Sequence, residues 1–235
     1  MTLMQPSMRL ACLAALLVVL PFVDPAPARG GDDQWPATSP EGLQLQKHTR
    51  SGALYVKPGA TFSQYNRIAL LDCYVQFAKD WQRDYNRDQP GLQGRVTQAD
   101  MDRITSGLAA EFRKVFTAEL QTKGGYAIVD VAAPDVLVLR PAILNLIVTA
   151  PDLMTPDIGM TVVSSAGQMT LYLELWDSST NTLLARAIDT EADNDGLAQV
   201  GSAVSNRQAA DRILTHWADL LRQRLDQVRA QGAAP

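Results

Sequence analysis

The strongest constraint on the fold is a period-two pattern between Gln168 and Trp176. Every second residue in this stretch is methionine or leucine, which is typical of a strand with one buried face. Asp177 to Asn181 has the composition of a turn, and Thr182 to Thr190 has that of a returning strand. The stretch therefore predicts a β-hairpin.

Two segments have the three- and four-residue apolar spacing of amphipathic helices. The first begins at Thr97, which forms a capping-box sequence with Asp100, and ends at the glycine pair after Lys123. The second follows Ser205 or Asn206, either of which can cap it. Both patterns predict helices with one buried face.

Shorter apolar runs predict strands at Arg67 to Val75, Tyr126 to Val131 and Asp135 to Thr149. Pro141 in the last run favours an edge position or a bulge, and Gln76 to Gly94 is interpreted as an irregular excursion. The order strand, helix, two strands, hairpin, helix predicts an α+β two-layer sandwich. We expect a mostly antiparallel sheet with two long helices on one face.

The first 28 residues have the pattern of a cleavable signal peptide. Arg9 precedes the apolar run Leu10 to Val23, and an Ala-x-Ala sequence places the cleavage between Ala28 and Arg29. The run of 14 residues is too short to span a membrane. We therefore predict no transmembrane span in the mature chain.

The rest of the chain is predicted to contain one domain. Residues 29–52, rich in Gly, Pro, Asp, Ser and Gln, are interpreted as a flexible tether. Residues 53–230 are predicted to form a single α+β domain, and residues 231–235 a disordered tail.

The position of Cys12 bears on lipid anchoring. A lipid-attachment cysteine follows an apolar run, whereas Cys12 lies before most of the run. The mature protein is therefore expected to be periplasmic or secreted. The alternative is an outer-membrane lipoprotein.

Composition and motifs argue against several function classes. The formal net charge of −4, without a clustered basic face, gives no reason to expect nucleic-acid binding. His48 and His216 are the only histidines, and Cys73, in an apolar run, is interpreted as a small buried residue. We find no zinc-ligand spacing, phosphate loop, dinucleotide fingerprint or nucleophile elbow. We therefore predict no catalytic residues, no metal site and no cofactor.

Three charged residues in predicted strands are candidates for a polar site. In the hairpin register Glu174 faces Arg186, either as a structural ion pair or as part of a patch that faces a ligand or partner. Arg140 lies in an apolar strand and would need a carboxylate partner if it were buried. The candidates for that partner are Asp72, Asp135 and Asp189.

The segment from Lys79 to Asp88 contains the residue types that dominate protein–protein interfaces. If it is exposed, Trp81, Tyr85 and Arg87 are the best candidates for partner binding. In the alternative interpretation Trp81 and Tyr85, four residues apart, pack back on the domain.

Several sequence blocks together resemble one known family. They include GALYVKPG at 52–59, LLDCYV at 70–75, Trp81 with YNRD at 85–88, APDVL at 133–137, RPAI at 140–143, APD at 150–152, AGQMTLYLEL at 166–175, DS at 177–178 and ARAID at 185–189. The chain resembles the domain-of-unknown-function 3313 family, exported bacterial proteins that are often described as lipoproteins. The resemblance implies an envelope location and no established activity, so it assigns no catalytic residue.

Two function classes follow from these observations. The first is a non-enzymatic envelope module that binds a protein or a cell-wall or membrane component. The second is a periplasmic small-molecule binder or hydrolase that uses carboxylates such as Asp152, Asp157 and Glu174.

Overall fold

The fold is built around one mixed β-sheet. In this computed structural model, the described residues are 34–88, 94–148, 161–163, 167–192, 199–201 and 203–232. The strands are β1 (Gln44–His48), β2 (Gly52–Val56), β3 (Arg67–Leu70), β4 (Tyr74–Phe77), β5 (Ala127–Ile128), β6 (Val136–Val148), β7 (Thr161–Val163), β8 (Gly167–Asp177), β9 (Thr182–Ala192) and β10 (Gln199–Gly201). The order in the main sheet is β1-β2-β9-β8-β6-β3-β5, β4 also pairs with β6, and β7 and β10 form a separate pair.

The strands of the main sheet run in both directions. Along the spatial order β1-β2-β9-β8-β6, each strand is antiparallel to the next. Strands β3 and β4 are parallel to β6, and β5 is parallel to β3. The α+β class is confirmed, but the prediction of a mostly antiparallel sheet is wrong. The physical reason is the helical segment between β4 and β5, because parallel pairing requires such a crossover connection.

The described helices are α1 (Trp81–Arg87), α2 (Gln98–Thr117) and α3 (Ala203–Gly232). A capping box between Thr97 and Asp100 begins α2, as predicted. The helix then continues as a π-helical segment, Ala118–Lys123, before Gly125 turns the chain at φ 69°. Among the described residues, no helix is both long and apolar enough to span a membrane.

One predicted helix extends beyond its predicted bounds, and another helix lies in a segment that was not predicted to be helical. The chain is helical from Ala203, two residues before the predicted cap at Ser205, and α3 continues to Gly232, inside the predicted tail. The segment predicted to be irregular, Gln76 to Gly94, contains α1 and the second half of β4.

The main core lies between the sheet and the two long helices. Side chains from both helices and from the central strands meet there, and several are fully buried, including Ile68, Phe112, Phe116, Leu120, Leu137, Leu139, Ile143 and Leu214. The predicted hairpin is confirmed as β8 and β9, and its leucines at 171, 173 and 175 all belong to this core. The apolar face of the hairpin therefore sets which side of the sheet the helices cover.

A second, smaller core lies apart from the main one. Leu43, Ala53, Tyr55 and Leu183 form it, and Trp35, Leu45 and Trp176 pack against them. We call residues 35–43 the N-terminal strap, because they join this core ahead of β1. The interpretation of residues 29–52 as a flexible tether is therefore wrong from residue 35 onward. The composition of this segment did not reveal that its few apolar side chains are buried against the hairpin. The predicted signal peptide and the cleavage residues Ala28 and Arg29 lie outside the described residues.

Strand β6 contains two irregularities. Pro141 lies between the residues that pair with β3, which end at Leu139, and those that pair with β4, which begin at Ala142. A proline is tolerated in this central strand because its missing N–H falls where one neighbouring strand gives way to the next. Farther along, a bulge between Leu144 and Ile147 shifts the register with β8, and Asn145 within it has φ 53°.

Candidate functional site

The most extensive ion cluster in the sheet is centred on Arg186. Its guanidinium donates two hydrogen bonds of 2.9 Å to the carboxylate of Glu41 in the strap. It also donates to Oε1 of Glu174, at 2.8 Å from Nη2 and 3.3 Å from Nε. Glu174 and Arg186 are directly opposite each other on β8 and β9, as the hairpin register predicted.

The electrostatics of this cluster fit a structural role. Hydrogen bonds from Arg186 lower the pKa of Glu41 to about 2, and hydrogen bonds to Glu41 and Glu174 raise the pKa of Arg186. Glu174 is buried and also accepts hydrogen bonds from Trp176 Nε1, at 3.2 Å, and from the Tyr172 hydroxyl, at 3.4 Å. Since four donors already surround this carboxylate, the structural ion pair describes it better than a ligand-facing group.

Arg140 lies at the exposed margin of the same cluster. Its side chain is 66% exposed, and Nη1 lies 3.7 Å from Glu174 Oε2. The candidate carboxylate partners apply only to a buried Arg140, and all three bind elsewhere: Asp72 pairs with Arg113, Asp135 with Arg67, and Asp189 accepts from Trp217 Nε1. An exposed arginine needs no buried counterion, which explains the difference.

The aromatic residues of α1 belong to the main core. Trp81 is 8% exposed and stacks against Phe77 and Tyr85, with ring centres 4.4 and 5.5 Å apart. Burial raises the pKa of the Tyr85 hydroxyl, while Arg87 is exposed and lies 3.4 Å from Asp84. The structure thus matches the alternative interpretation, in which these rings pack on the domain, and the four-residue spacing of Trp81 and Tyr85 was the signal for it.

Cys73 is also a core residue. It is buried, as predicted, and burial raises its pKa to about 12. The thiol is therefore protonated at neutral pH, which makes it a poor nucleophile.

A buried carboxylate that sequence reasoning missed links α2 to α3. Glu119, in the π-helical segment, is 4% exposed and forms ion pairs with Lys123 and, at 3.7 Å, with Arg222 of α3. Nearby, the Tyr126 hydroxyl donates to Asp226 at 3.0 Å. These contacts fix the end of one helix against the other.

A second polar contact joins α3 to β9. His216 Nε2 lies 3.4 Å from Glu191, and Trp217 Nε1 donates to Asp189 at 2.9 Å. Burial is the main cause that raises the pKa of Glu191; the neighbouring Asp189 adds to this shift and His216 opposes it. This group therefore attaches the helix to the sheet through side chains.

The candidate binding site is a cleft of about 710 Å³ between α2, α3 and the ends of β6 and β8. This volume lies within the range of ligand pockets. Nine of the eighteen described lining residues have apolar side chains: Ile104, Leu108, Leu146, Ile147, Val148, Met169, Ala209, Ala210 and Ile213. None of the described lining residues is aromatic. We call this feature the cleft.

One lining residue of the cleft, Gly107, has no side chain. Gly107 lies in the middle of α2 at an ordinary helical φ, and a Cβ built on it would meet no atom within 4 Å. Glycine there costs the helix about 1 kcal/mol relative to alanine, and no close neighbour requires it. The space that its side chain would occupy is part of the cleft.

The charged lining residues of the cleft are mostly paired. Lys114 Nζ lies 2.7 Å from Glu111 Oε1, and this hydrogen bond raises the pKa of Lys114. Arg103 lies 2.7 Å from Asp100 on the same helix. Together with Arg207 and Asp211 of α3, these residues place charges of both signs around an apolar space.

The carboxylates proposed for hydrolysis do not form a described site. Asp152 and Asp157 lie outside the described residues, and Glu174 is engaged by Arg186. Within the part of the chain that the structure describes, no group of three His, Cys, Asp or Glu residues is placed to hold a metal ion. The sequence signal that could have revealed the cleft is Gly107, which interrupts an otherwise favourable helix.

Comparisons with solved structures find distant similarities. The PelC dodecamer from Paraburkholderia phytofirmans has 13% identity and a TM-score of 0.33, covering 70% of this chain and 96% of that chain. A Xanthomonas campestris protein, XCC0632, of the DUF330 family, has 14% identity and a TM-score of 0.37, covering 76% of this chain and 94% of that chain. At such low identities and TM-scores, neither similarity transfers a function.

The family model gives a firmer result. A comparison with curated proteins finds no match. The model of the DUF3313 family, described as a protein of unknown function, matches residues 36–221. This range begins in the strap and includes all of α2 and most of α3. The chain therefore belongs to the DUF3313 family, as the resemblance of its sequence blocks predicted.

Proposed function

We propose that this protein is a non-enzymatic binding module of the bacterial cell envelope, and that the cleft between α2 and α3 is its binding site. The observation that carries this proposal is a space of about 710 Å³ with a largely apolar lining surface. Concave, largely apolar spaces of this size are the usual location of ligand sites.

The distribution of polar groups favours binding over catalysis. The buried carboxylates Glu174 and Glu119 are held by Arg186 and by Lys123 with Arg222, in contacts that join elements of the fold. The aliphatic residues of the cleft offer dispersion contacts and no proton transfer. These features support a module that holds a ligand without transforming it.

The envelope location is supported by the leader pattern of the sequence, with Ala28 and Arg29 at the expected cleavage site. Cell fractionation followed by N-terminal sequencing tests it. We expect a processed chain that begins at Arg29 in the periplasmic or secreted fraction. A lipid-modified Cys12 in the outer membrane would favour the lipoprotein alternative, and an unprocessed chain in the cytosol would contradict the proposal.

The binding role of the cleft can be tested with two matched tryptophan variants of α2. Gly107→Trp fills the cleft, whereas Ala110→Trp adds the same ring to an exposed position of the helix that does not line the cleft. Native mass spectrometry of protein purified from its own envelope would detect a bound molecule. We expect the bound mass in the wild type and in Ala110→Trp, and its loss in Gly107→Trp.

Melting temperatures separate blocking from unfolding. If Gly107→Trp keeps the bound mass, or if the wild type carries none, the cleft is not the binding site. If both variants lose the bound mass equally, the cleft is likewise not shown to be the binding site. If only Gly107→Trp lowers the melting temperature, Gly107→Leu provides a smaller obstruction for the same comparison.

A further inference from the structure

Building on the proposed function of the cleft, we infer that its ligand is amphipathic. One flexible alkyl chain lies against the aliphatic lining, and an anionic head group lies among the charged residues at the edge. The shared chemistry is that of a fatty acid or of one acyl chain of an anionic lipid.

The lining selects an alkyl chain over a flat ring. The contact surface comes from branched aliphatic side chains and from the flexible thioether of Met169. Aromatic ligands are usually held by stacked or edge-on rings, and no described lining residue provides one. A chain that can adapt its torsions fits such a surface without those contacts.

The polar side chains of the lining are mostly exposed. Arg103, Lys114, Arg207, Gln208 and Asp211 are exposed, while Glu111 and Gln168 are partly buried. A polar group of the ligand placed against the aliphatic residues would lose its hydrogen bonds to water without replacement. The portion of the ligand in contact with the aliphatic lining is therefore hydrocarbon.

The charges around the cleft favour an anionic head group. The described lining contains three basic residues, Arg103, Lys114 and Arg207, and two acidic ones, Glu111 and Asp211; Asp100, just outside the lining, pairs with Arg103. The three basic side chains are all exposed. They bring cationic groups to the edge of the cleft, where an anionic head group can form charge-assisted hydrogen bonds with them.

The exposed ion pair between Lys114 and Glu111 at the edge of the cleft can open to bind such a head group. Lys114 is 73% exposed at the side chain, and its partner Glu111 lies one turn earlier on the same helix. Exposed pairs of this kind contribute little to stability and rearrange readily. The ammonium of Lys114 can therefore bind a ligand carboxylate or phosphate without unfolding the helix.

A displacement experiment with a fluorescent fatty acid tests the ligand class. Purified protein is loaded with cis-parinaric acid, which is then displaced by dodecanoate, 1-dodecanol, 2-naphthoate or a lysophosphatidylglycerol with a dodecanoyl chain. We expect dodecanoate to displace the probe at about tenfold lower concentration than the alcohol or the aromatic acid. Comparing dodecanoate with the lysophosphatidylglycerol shows whether the cleft prefers a free fatty acid or a lipid.

Variants locate the two halves of the ligand. Gly107→Trp should weaken probe binding by about tenfold or more, because it occupies the space of the alkyl chain, whereas Ala110→Trp should not. Lys114→Gln should weaken the binding of dodecanoate and leave that of dodecanol unchanged. The concentrations at which the two compounds displace the probe should therefore become more similar.

The outcomes separate this inference from the proposed function. If none of these compounds displaces the probe or binds, but the mass found in envelope-purified protein is still lost in Gly107→Trp, the ligand class is wrong and the cleft remains a binding site. Equal displacement by dodecanoate and dodecanol overturns the anionic head group. If the probe binds Gly107→Trp as tightly as the wild type, and the envelope-derived mass is also unaffected, both proposals fail.

Discussion

The helix-associated core and the smaller strap core are stabilised by different means. The helix-associated core consists of fully buried apolar side chains such as Phe112 and Phe116, whose rings stack with centres 3.8 Å apart. The strap core has few apolar residues and is fixed by Arg186, which holds Glu41 and Glu174 together. Apolar burial thus provides most of the stability, while directional polar contacts determine where a short segment lies.

The largest expected effect is on the helix-associated core. Phe116→Ala removes a fully buried ring that neighbouring side chains cannot replace, so it should lower the free energy of unfolding by about 3–5 kcal/mol. Urea denaturation followed by circular dichroism measures this. A loss below about 1 kcal/mol, of the size typical of surface substitutions, would show that the two cores do not differ as described.

The next effect concerns Arg186. Arg186→Met leaves the buried carboxylate of Glu174 without its main partner and should cost about 3 kcal/mol. The double variant Arg186→Met with Glu174→Gln removes that charge as well, so we expect it to recover part of the loss. If the two substitutions are simply additive in urea denaturation, the pair is not coupled.

A smaller effect of opposite sign is expected at Gly107. Gly107→Ala should raise the free energy of unfolding by about 0.5–1 kcal/mol, because alanine favours the helix and its methyl group meets no neighbour. Differential scanning calorimetry would detect the higher melting temperature. A lower melting temperature would mean that the helix needs glycine for packing, contrary to an open cleft.

The smallest effect is the acid sensitivity of the strap. The pKa of Glu41 is lowered to about 2, so its ion pair with Arg186 contributes stability above the ordinary glutamate pKa, about 4.3. This contribution is lost as the pH falls toward 2. The wild type should therefore be more stable than Glu41→Gln at pH 7, and the difference should shrink below about pH 4. Thermal melts across this range would contradict the assignment if the difference stayed constant.

Local patterns in the sequence predict the parts of the fold that depend on near neighbours. The hairpin follows from alternation between Gln168 and Trp176, and the start of α2 follows from Thr97 and Asp100, because these signals act within a few residues. Strand β1 is different, since four of its five residues are exposed; it pairs with β2 and, at Gln44, with Thr38 of the strap. A local apolar pattern therefore cannot predict the pairing of β1.

The direction of the parallel strands and the shape of the cleft depend on distant contacts. Nothing in the short run Arg67–Leu70 indicates that it pairs in parallel with β6. The cleft needs the bulge at Asn145, the glycine at 107 and the approach of α3, which lie far apart in the sequence. Sequence reasoning found the ion pair of Glu174 and Arg186 because the hairpin register alone brings them together, but it missed Glu41, which lies 145 residues from Arg186.

The attachment of the strap has a mechanical consequence. A pulling force applied at Trp35 loads a series of single contacts: its own Nε1 bond to the Thr49 carbonyl, the Tyr55 hydroxyl bond to the Pro36 carbonyl, the Leu45 N–H bond to the Ala37 carbonyl, and then the Arg186–Glu41 pair. These contacts break one after another, whereas the five residue pairs between β2 and β9 bear the load together. The strap would therefore detach first under force, while the sheet and its helices stay folded.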